Sequence, residues 1–135
     1  MTWDVNTLVQ HAIRASERAY APYSHYRVGA ALLSANGTIY MGCNVENAAY
    51  PACICGERTA LVKAVSEGAQ EFTAIAVATI NGGSLCGLCR QMLYEFAPDL
   101  IVIIVDFEGR VHRTQKLRDL LPNGFGPHDL PQVGP

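Results

Sequence analysis

The order of apolar and amphipathic segments in the middle of the chain constrains the fold more than any other feature of the sequence. Residues 72–80 and 100–105 are almost wholly apolar, which is typical of strands covered on both faces. Residues 38–43 predict a further strand, and the segments 55–68 and 86–96 carry apolar residues at helical spacing. The order strand, helix, strand, helix, strand predicts βαβ crossovers and a mostly parallel sheet between two layers of helices.

The remaining segments complete one domain over residues 1–135, a length at which a chain can bury a core of its own. The other predicted elements are a first helix capped by Asp4, a hairpin of residues 26–34 and 38–43 with a turn at Gly37, an edge strand at 110–113 and a short helix at 115–121. We therefore expect an α/β fold, a three-layer α-β-α sandwich around a mixed, mostly parallel five-stranded sheet.

Charged residues are scarce. They make up 16% of the chain against 50% hydrophobic residues, whereas soluble domains typically carry about 25% charged residues. This shortage predicts that copies of the same chain cover part of the surface. A net charge of −2 offers no field for a phosphate backbone, so a nucleic-acid polymer is not an expected partner.

Export and membrane insertion are not expected either. The N-terminal residues lack a basic region followed by an apolar stretch, and the apolar run at 100–105 is too short to cross a bilayer. We therefore expect a cytoplasmic location. In such a reducing compartment, the five cysteines are expected to be metal ligands or core thiols and not disulfides.

Cys55, Cys86 and Cys89 form the pattern with the most chemical content. Three thiolates can hold a Zn²⁺ ion and leave the fourth tetrahedral position open for water, as in catalytic sites. Each half of the pattern follows a predicted strand and begins a predicted helix, where ligands gather in α/β sheets and helix dipoles favour thiolates. Glu57, two residues after Cys55, would lie beside the open position and handle protons there.

Other interpretations of these cysteines exist. A C-x-x-C pair alone can be a redox pair or half of a structural zinc site, and a lone Cys55 would most often pack in a core. Cys53 could supply a fourth thiolate and close the site. We favour Cys55 because its register directs Glu57 to the open position, and we expect Cys43 to be a structural thiol.

Arg58 and Arg90 directly adjoin the cysteines in sequence. Three thiolates leave a zinc centre with net negative charge, which makes water at the centre a poorer acid unless positive charge offsets it. Arginine N–H groups that donate to the ligand sulfurs would draw off part of that charge. The alternative is that both side chains are solvated surface arginines.

Four stretches of the sequence resemble the small, homotetrameric, zinc-dependent type of cytidine deaminase. They are APYS at residues 21–24 leading to VGAA at 28–31, GCNVENAAY at 42–50, CGERTA at 55–60 and CGLCRQ at 86–91. The resemblance implies a hydrolase that deaminates cytidine and 2′-deoxycytidine to uridine and 2′-deoxyuridine with release of ammonia, in pyrimidine salvage. It also implies one Zn²⁺ per subunit, a nucleoside as substrate, and sites shared between the subunits of a homotetramer.

The same resemblance assigns the substrate contacts. Asn44 and Glu46 would bind the ribose hydroxyls, Tyr26 would lie near sugar and base, and the N–H of Gly56 would meet O2 of the base. Phe125, in a segment that resembles the family's closing element, would pack on the pyrimidine in a neighbouring subunit's site. Asn and Glu two apart on an extended segment do point to one side, although an exposed strand end would look the same.

Two positions depart from the family pattern. Gly56 stands where the family usually has Ala, which loosens the start of the helix. Leu85 stands where a Pro usually precedes the second pair of cysteines, which removes a fixed φ angle before Cys86.

Two other functions fit parts of the pattern. An aminohydrolase for a different aminopyrimidine nucleoside, such as blasticidin S, would use the same metal chemistry. A non-catalytic, zinc-stabilised binding module would instead need four protein ligands, with Cys53 as the expected fourth.

Overall fold

The computed structural model describes residues 3–131, which contain five strands and four α-helices. In chain order these are α1 (Val5–Ser16), β1 (Gly29–Ser34), β2 (Ile39–Cys43), α2 (Gly56–Ser66), β3 (Phe72–Thr79), α3 (Gly87–Phe96), β4 (Ile101–Asp106), β5 (Val111–Lys116) and α4 (Leu117–Leu120). Single 3₁₀ turns lie at Tyr50–Ala52 and Pro127–Asp129. Each element predicted from the sequence is present, with boundaries shifted by a few residues.

The five strands form one mixed sheet in the order β2-β1-β3-β4-β5. Helix α1 packs on one face, where its buried side chains meet alternate residues of β1, β3 and β4. Helices α2 and α3 cover the other face, against the intervening residues of the same strands. The predicted three-layer arrangement is thus confirmed, and both faces of the central strands are buried.

The expectation of a mostly parallel sheet is wrong. Only β3 and β4 pair in parallel, whereas the pairings β1–β2, β1–β3 and β4–β5 are antiparallel. Strands β2, β3 and β4 do run in one direction, as the two helical crossovers require. However, β1 lies between β2 and β3, and the tight turn after β4 brings β5 back antiparallel. Crossovers determine strand direction, but strand order determines which neighbours pair.

Strand β1 begins at Gly29, three residues later than predicted. The three preceding residues are not part of the strand, and their backbone instead makes hydrogen bonds with a side chain. Asn44 accepts a hydrogen bond from the Val28 N–H (2.9 Å) and donates one to the Tyr26 carbonyl (2.8 Å). This clip fixes residues 26–28 beside the end of β2, close to the start of α2.

Asp4 caps the N-terminus of α1, as predicted. Its carboxylate accepts a hydrogen bond of 3.1 Å from the Thr7 N–H. Between residues 3 and 131, none of the helices combines the length and the apolar character needed to span a bilayer.

Candidate metal centre and active site

The three predicted zinc ligands converge at the starts of two helices. Cys55 immediately precedes α2, Cys86 immediately precedes α3, and Cys89 lies in the first turn of α3. The Cys86 sulfur lies 3.6 Å from that of Cys55 and 3.4 Å from that of Cys89. All three sulfurs lie within 4.8 Å of one another, a separation at which one metal ion could bind all three.

The donor set fits zinc with a free position. Thiolates are soft ligands that favour zinc, and three protein ligands leave one tetrahedral position for water or substrate. Cys89 is buried, whereas Cys86 is exposed, so one side of the cluster faces solvent. Cys53 is not part of the group of sulfurs that could share one metal ion. Its sulfur instead accepts a hydrogen bond of 3.2 Å from the Asn47 N–H. The interpretation of Cys53 as a fourth ligand therefore loses its support.

Charge is arranged to favour an anionic cluster. The neighbouring Cys89 thiol and the Arg58 guanidinium lower the pKa of Cys55 to about 5. The pKa of Cys89 is raised, because its proton is shared with the Cys55 sulfur and the side chain is buried. The first turns of α2 and α3 add their N–H dipoles. The Arg58 guanidinium and the two helix starts therefore place positive charge beside the ligand sulfurs.

Glu57 is the buried carboxyl of this region. It lies in the first turn of α2, is 4% exposed, and its Oε1 atom has no hydrogen-bond partner. Burial raises the pKa of Glu57 to about 7. Because an unpartnered buried carboxyl is costly, the orphaned oxygen indicates a group that the protein must bind from outside, such as water or substrate.

The two arginines differ from each other. Nη2 of Arg58 lies 3.6 Å from the Cys55 sulfur, so it makes the contact expected of it. Arg90 does not bind a ligand sulfur and donates instead to the carbonyls of Leu85 (2.9 Å) and Leu120 (2.7 Å). It also donates to Oγ of Ser84 at 3.1 Å. The expectation for Arg90 is therefore wrong, because its guanidinium reaches the loop before Cys86 and the C-terminal segment.

Two of the predicted ribose-binding residues contact the segment that precedes β1. Asn44 is 8% exposed and clips the backbone of residues 26–28 as described above. The Glu46 carboxylate accepts hydrogen bonds from the N–H groups of Tyr23 (3.0 Å) and Ser24 (3.1 Å), and from the Ser24 hydroxyl. Each side chain thus has a role in ordering this segment.

Tyr26 joins that segment to the loop after β3. Its hydroxyl donates a hydrogen bond of 2.7 Å to Oδ1 of Asn81, and the loop leads from there to Cys86. Asn81 was not singled out from the sequence, since nothing in the local pattern distinguishes it from an ordinary turn residue.

Gly56 and Phe125 are the remaining two residues predicted to contact substrate. Gly56 is the first residue of α2, and an ideal Cβ atom on it would lie 3.2 Å from both Cγ1 and the carbonyl oxygen of Val28. An alanine would fit there only after a shift of a few tenths of an ångström. Phe125 is 54% exposed, so its ring is accessible to a second chain.

Known proteins resemble the chain over most of its length. The family model described as "Cytidine and deoxycytidylate deaminase zinc-binding region" matches residues 1–105. The cytidine deaminase of Sporosarcina psychrophila is 45% identical over 130 residues, which cover 94% of this chain and 95% of that protein. That of Halalkalibacterium halodurans is 42% identical over 130 residues, covering 94% and 98%.

A solved structure agrees with both the fold and the sequence likeness. The crystal structure of cytidine deaminase from Burkholderia pseudomallei superposes with a TM-score of 0.87 at 44% identity. The match covers 91% of this chain and 100% of that chain.

Proposed function

The chain belongs to the cytidine and deoxycytidylate deaminase family, and we propose that it hydrolyses cytidine and 2′-deoxycytidine to uridine and 2′-deoxyuridine with release of ammonia. The observation that carries this proposal is the group of three sulfurs within 4.8 Å, one of which comes two residues before a buried carboxyl oxygen without a partner. The reaction consumes one water and breaks the bond between C4 and the exocyclic nitrogen.

Cys55, Cys86 and Cys89 would hold the zinc ion, which when bound supplies the Lewis acidity that makes water a nucleophile at neutral pH. Arg58 donates to the Cys55 sulfur and so reduces the negative charge that the thiolates place on the site. Arg90 supports the same site indirectly, because it binds the loop that contains Leu85 and leads into Cys86.

Glu57 would carry the protons of the reaction. Its carboxylate accepts one proton from the attacking water and delivers it to N3 of the pyrimidine. It then takes the second proton, from the hydroxyl now on C4, and gives it to the amino group as the bond from C4 to nitrogen breaks and the C4 carbonyl forms. Support comes from its burial and from the Oε1 atom that has no partner of its own. Further support comes from its position in the first turn of α2, two residues after Cys55.

Asn44 and Glu46 would bind the ribose hydroxyls, with Tyr26 beside sugar and base and the Gly56 N–H on O2. An amide group has two donor hydrogens and two acceptor lone pairs, so Asn44 keeps capacity beyond its two bonds to the backbone. The Glu46 carboxylate likewise has unused lone pairs. Their contacts with residues 23–28 would pre-organise this side of the site for substrate.

We propose a homotetramer in which Phe125 packs on the pyrimidine of a neighbouring subunit. Support comes from the apolar side chains that are more than half exposed in one chain: Tyr20, Tyr50, Ile80, Leu88 and Phe125. Burial of these side chains between chains would remove their apolar surface from water, which favours association. Residues 1–135 would be a single domain, since both cores share one sheet.

A role in pyrimidine salvage in the cytoplasm follows from the proposed reaction and from the state of the cysteines. All five are free thiols, and a cluster of three thiolates keeps its metal only where thiols stay reduced.

The test is zinc content and cytidine turnover on the same purified sample. We expect one zinc per chain, loss of cytidine absorbance, and an equal amount of ammonia. Zinc without turnover of any nucleoside would indicate the zinc-stabilised module. Turnover of blasticidin S but not of cytidine would indicate the other aminohydrolase.

A further inference from the structure

The C-terminal segment passes over α3 at an unusually short distance. An ideal Cβ atom on Gly124 would lie 2.9 Å from Cζ of Tyr94, and one on Gly126 would lie 3.3 Å from Cε1 of the same ring. Tyr94 is 7% exposed, so the ring is enclosed and has little room to move away. Both contacts show that the backbone of residues 124–126 lies directly on the tyrosine ring.

Phe125 stands between these two glycines and is more than half exposed. Its ring is 54% exposed, while its carbonyl oxygen accepts a hydrogen bond of 2.8 Å from Nε2 of Gln91. Where the segment begins, Arg90 donates to the Leu120 carbonyl. Thus α3 holds the backbone of this segment and leaves its large apolar side chain in solvent.

This arrangement is the reverse of what stability alone would favour. A segment that served only to cover the core would bury its phenylalanine, because burial of such a side chain is the main source of stabilisation. In this segment, α3 holds the backbone of residues 124–126, and the Phe125 side chain is more than half exposed.

We infer that Gln91 and Tyr94 are positioning residues that place Phe125 for contact with substrate. The inference rests on the proposed function, in which the Phe125 ring packs on the pyrimidine. Helix α3 also carries Cys89 and begins directly after Cys86. The position of α3 therefore determines the positions of two metal ligands of its own chain. It also determines the position of the aromatic side chain that this chain would place against a substrate.

The first test is Gln91→Leu, which keeps the side chain's size and removes the donor to the Phe125 carbonyl. We expect KM for cytidine to rise about fivefold, the worth of one hydrogen bond, with kcat per zinc nearly unchanged. A ring that packs on the base contributes equally to binding the ground state and the transition state. Gln91→Glu, of the same size but with an acceptor facing the carbonyl, serves if Gln91→Leu does not fold.

A double-mutant cycle shows whether Gln91 acts through Phe125. In a Phe125→Ala background there is no ring to place, so Gln91→Leu should change KM no further. An equal increase of KM in both backgrounds, or none in the wild-type background, overturns the inference. Gln10→Leu, a change at an exposed glutamine on α1 across the sheet, is the matched control and should leave KM unchanged.

Hydrogen exchange separates this inference from the proposed function. Without substrate, the amides of residues 124–126 should exchange faster in Gln91→Leu, while those of the middle of α3 keep their protection. Absence of cytidine turnover in the wild-type protein would refute the proposed function but leave this readout intact. Normal turnover with unchanged exchange and unchanged KM would refute the positioning role alone.

Discussion

Gly42 of β2 lies so close to α2 that an ideal Cβ atom on it would stand 2.4 Å from the backbone nitrogen of Ala60. The same atom would lie 2.6 Å from the carbonyl oxygen of Gly56. Both are backbone atoms, so the helix as a whole would have to move to accept a side chain. Because Cys55 immediately precedes this helix and Glu57 lies in its first turn, the contact sets the distance of the candidate active site from the sheet.

Gly42→Ala should therefore impair both stability and metal binding. We expect the free energy of unfolding to fall by about 1–3 kcal/mol, the usual cost of overpacking, and the affinity for zinc to fall because the start of α2 shifts. Denaturant unfolding and zinc titration measure the two effects. Gly87→Ala is the control for stability, since an ideal Cβ atom there meets nothing within 4 Å. Equal stability of both variants would contradict the prediction.

Glu57→Gln should keep the fold and the zinc but lose most turnover. The amide fills the same space yet cannot move protons, and loss of general acid–base catalysis costs roughly 10²–10⁴-fold in rate. Steady-state kinetics and metal analysis on the same preparation measure this. The same substitution at Glu67, which ends the same helix, should leave kcat unchanged. Comparable turnover in both variants would remove Glu57 from its proposed role.

Replacing one cysteine at a time distinguishes the metal ligands from cysteines that do not bind the metal. Cys89→Ser should lose zinc and activity, because a hydroxyl is a poor substitute for a buried thiolate. Cys53→Ser should keep both, since the Cys53 sulfur contacts Asn47 and lies outside the cluster. Zinc content per chain and the rise of Tm on adding zinc to chelated protein are the measurements. Loss of zinc from Cys53→Ser would instead support a closed structural site.

The turn between β4 and β5 predicts a pH dependence of stability. The hydrogen bond with His112, at 2.9 Å, and two backbone N–H donors hold the pKa of Asp106 below its usual range. A carboxyl with a depressed pKa stabilises the folded state above its unfolded value of about 3.9, and this stabilisation is lost as the pH falls through the lower folded value.

Asp106→Asn should therefore unfold more easily than wild type at pH 7, and the difference should shrink below about pH 4. Denaturant unfolding of wild type and Asp106→Asn at several pH values between these limits measures the difference in stability. Zinc release in acid should affect both proteins alike. Glu108→Gln makes the same chemical change at an exposed position in the same turn and should show little difference at any pH. A difference in stability between wild type and Asp106→Asn that grows as the pH falls would refute the lowered pKa of Asp106.

The proposed sharing of sites between subunits predicts complementation between two impaired variants. Glu57→Gln lacks the proton carrier, and Phe125→Ala should bind cytidine weakly. In mixed assemblies of the proposed tetramer, a site with an intact Glu57 would receive Phe125 from its neighbour, so activity at subsaturating cytidine should exceed the average of the two parents. Co-expression with separable tags allows the mixed species to be isolated and assayed. Activity no higher than the average would place Phe125 in its own chain's site.

Local sequence patterns were sufficient to predict that the three metal-binding cysteines lie together. Cys55 and Cys86 each precede a helix that follows a strand, and helices in such crossovers begin at one edge of the sheet. The convergence of the sulfurs follows from that topology and does not depend on any one long-range contact. The position of Glu57 follows in turn from the register of a single helical turn.

Contacts between distant segments could not be predicted from such local patterns. Arg90 was expected to bind a sulfur nearby and instead reaches the Leu120 carbonyl, thirty residues later in the chain. The Tyr26 hydroxyl binds Asn81, fifty-five residues away. A long polar side chain has several partners of similar energy within reach, and which one it meets depends on how the segments pack.

The sequence by itself determined the types of the elements, the directions of the crossover strands, and the chemistry of the ligand group. These depend on periodicity and on residue type, which act within a few positions of the chain. Only the tertiary structure decided that β1 lies between β2 and β3, and that α3 anchors the segment carrying Phe125. Such choices rest on the burial of whole faces and on single distant hydrogen bonds, whose energies depend on the packed arrangement as a whole.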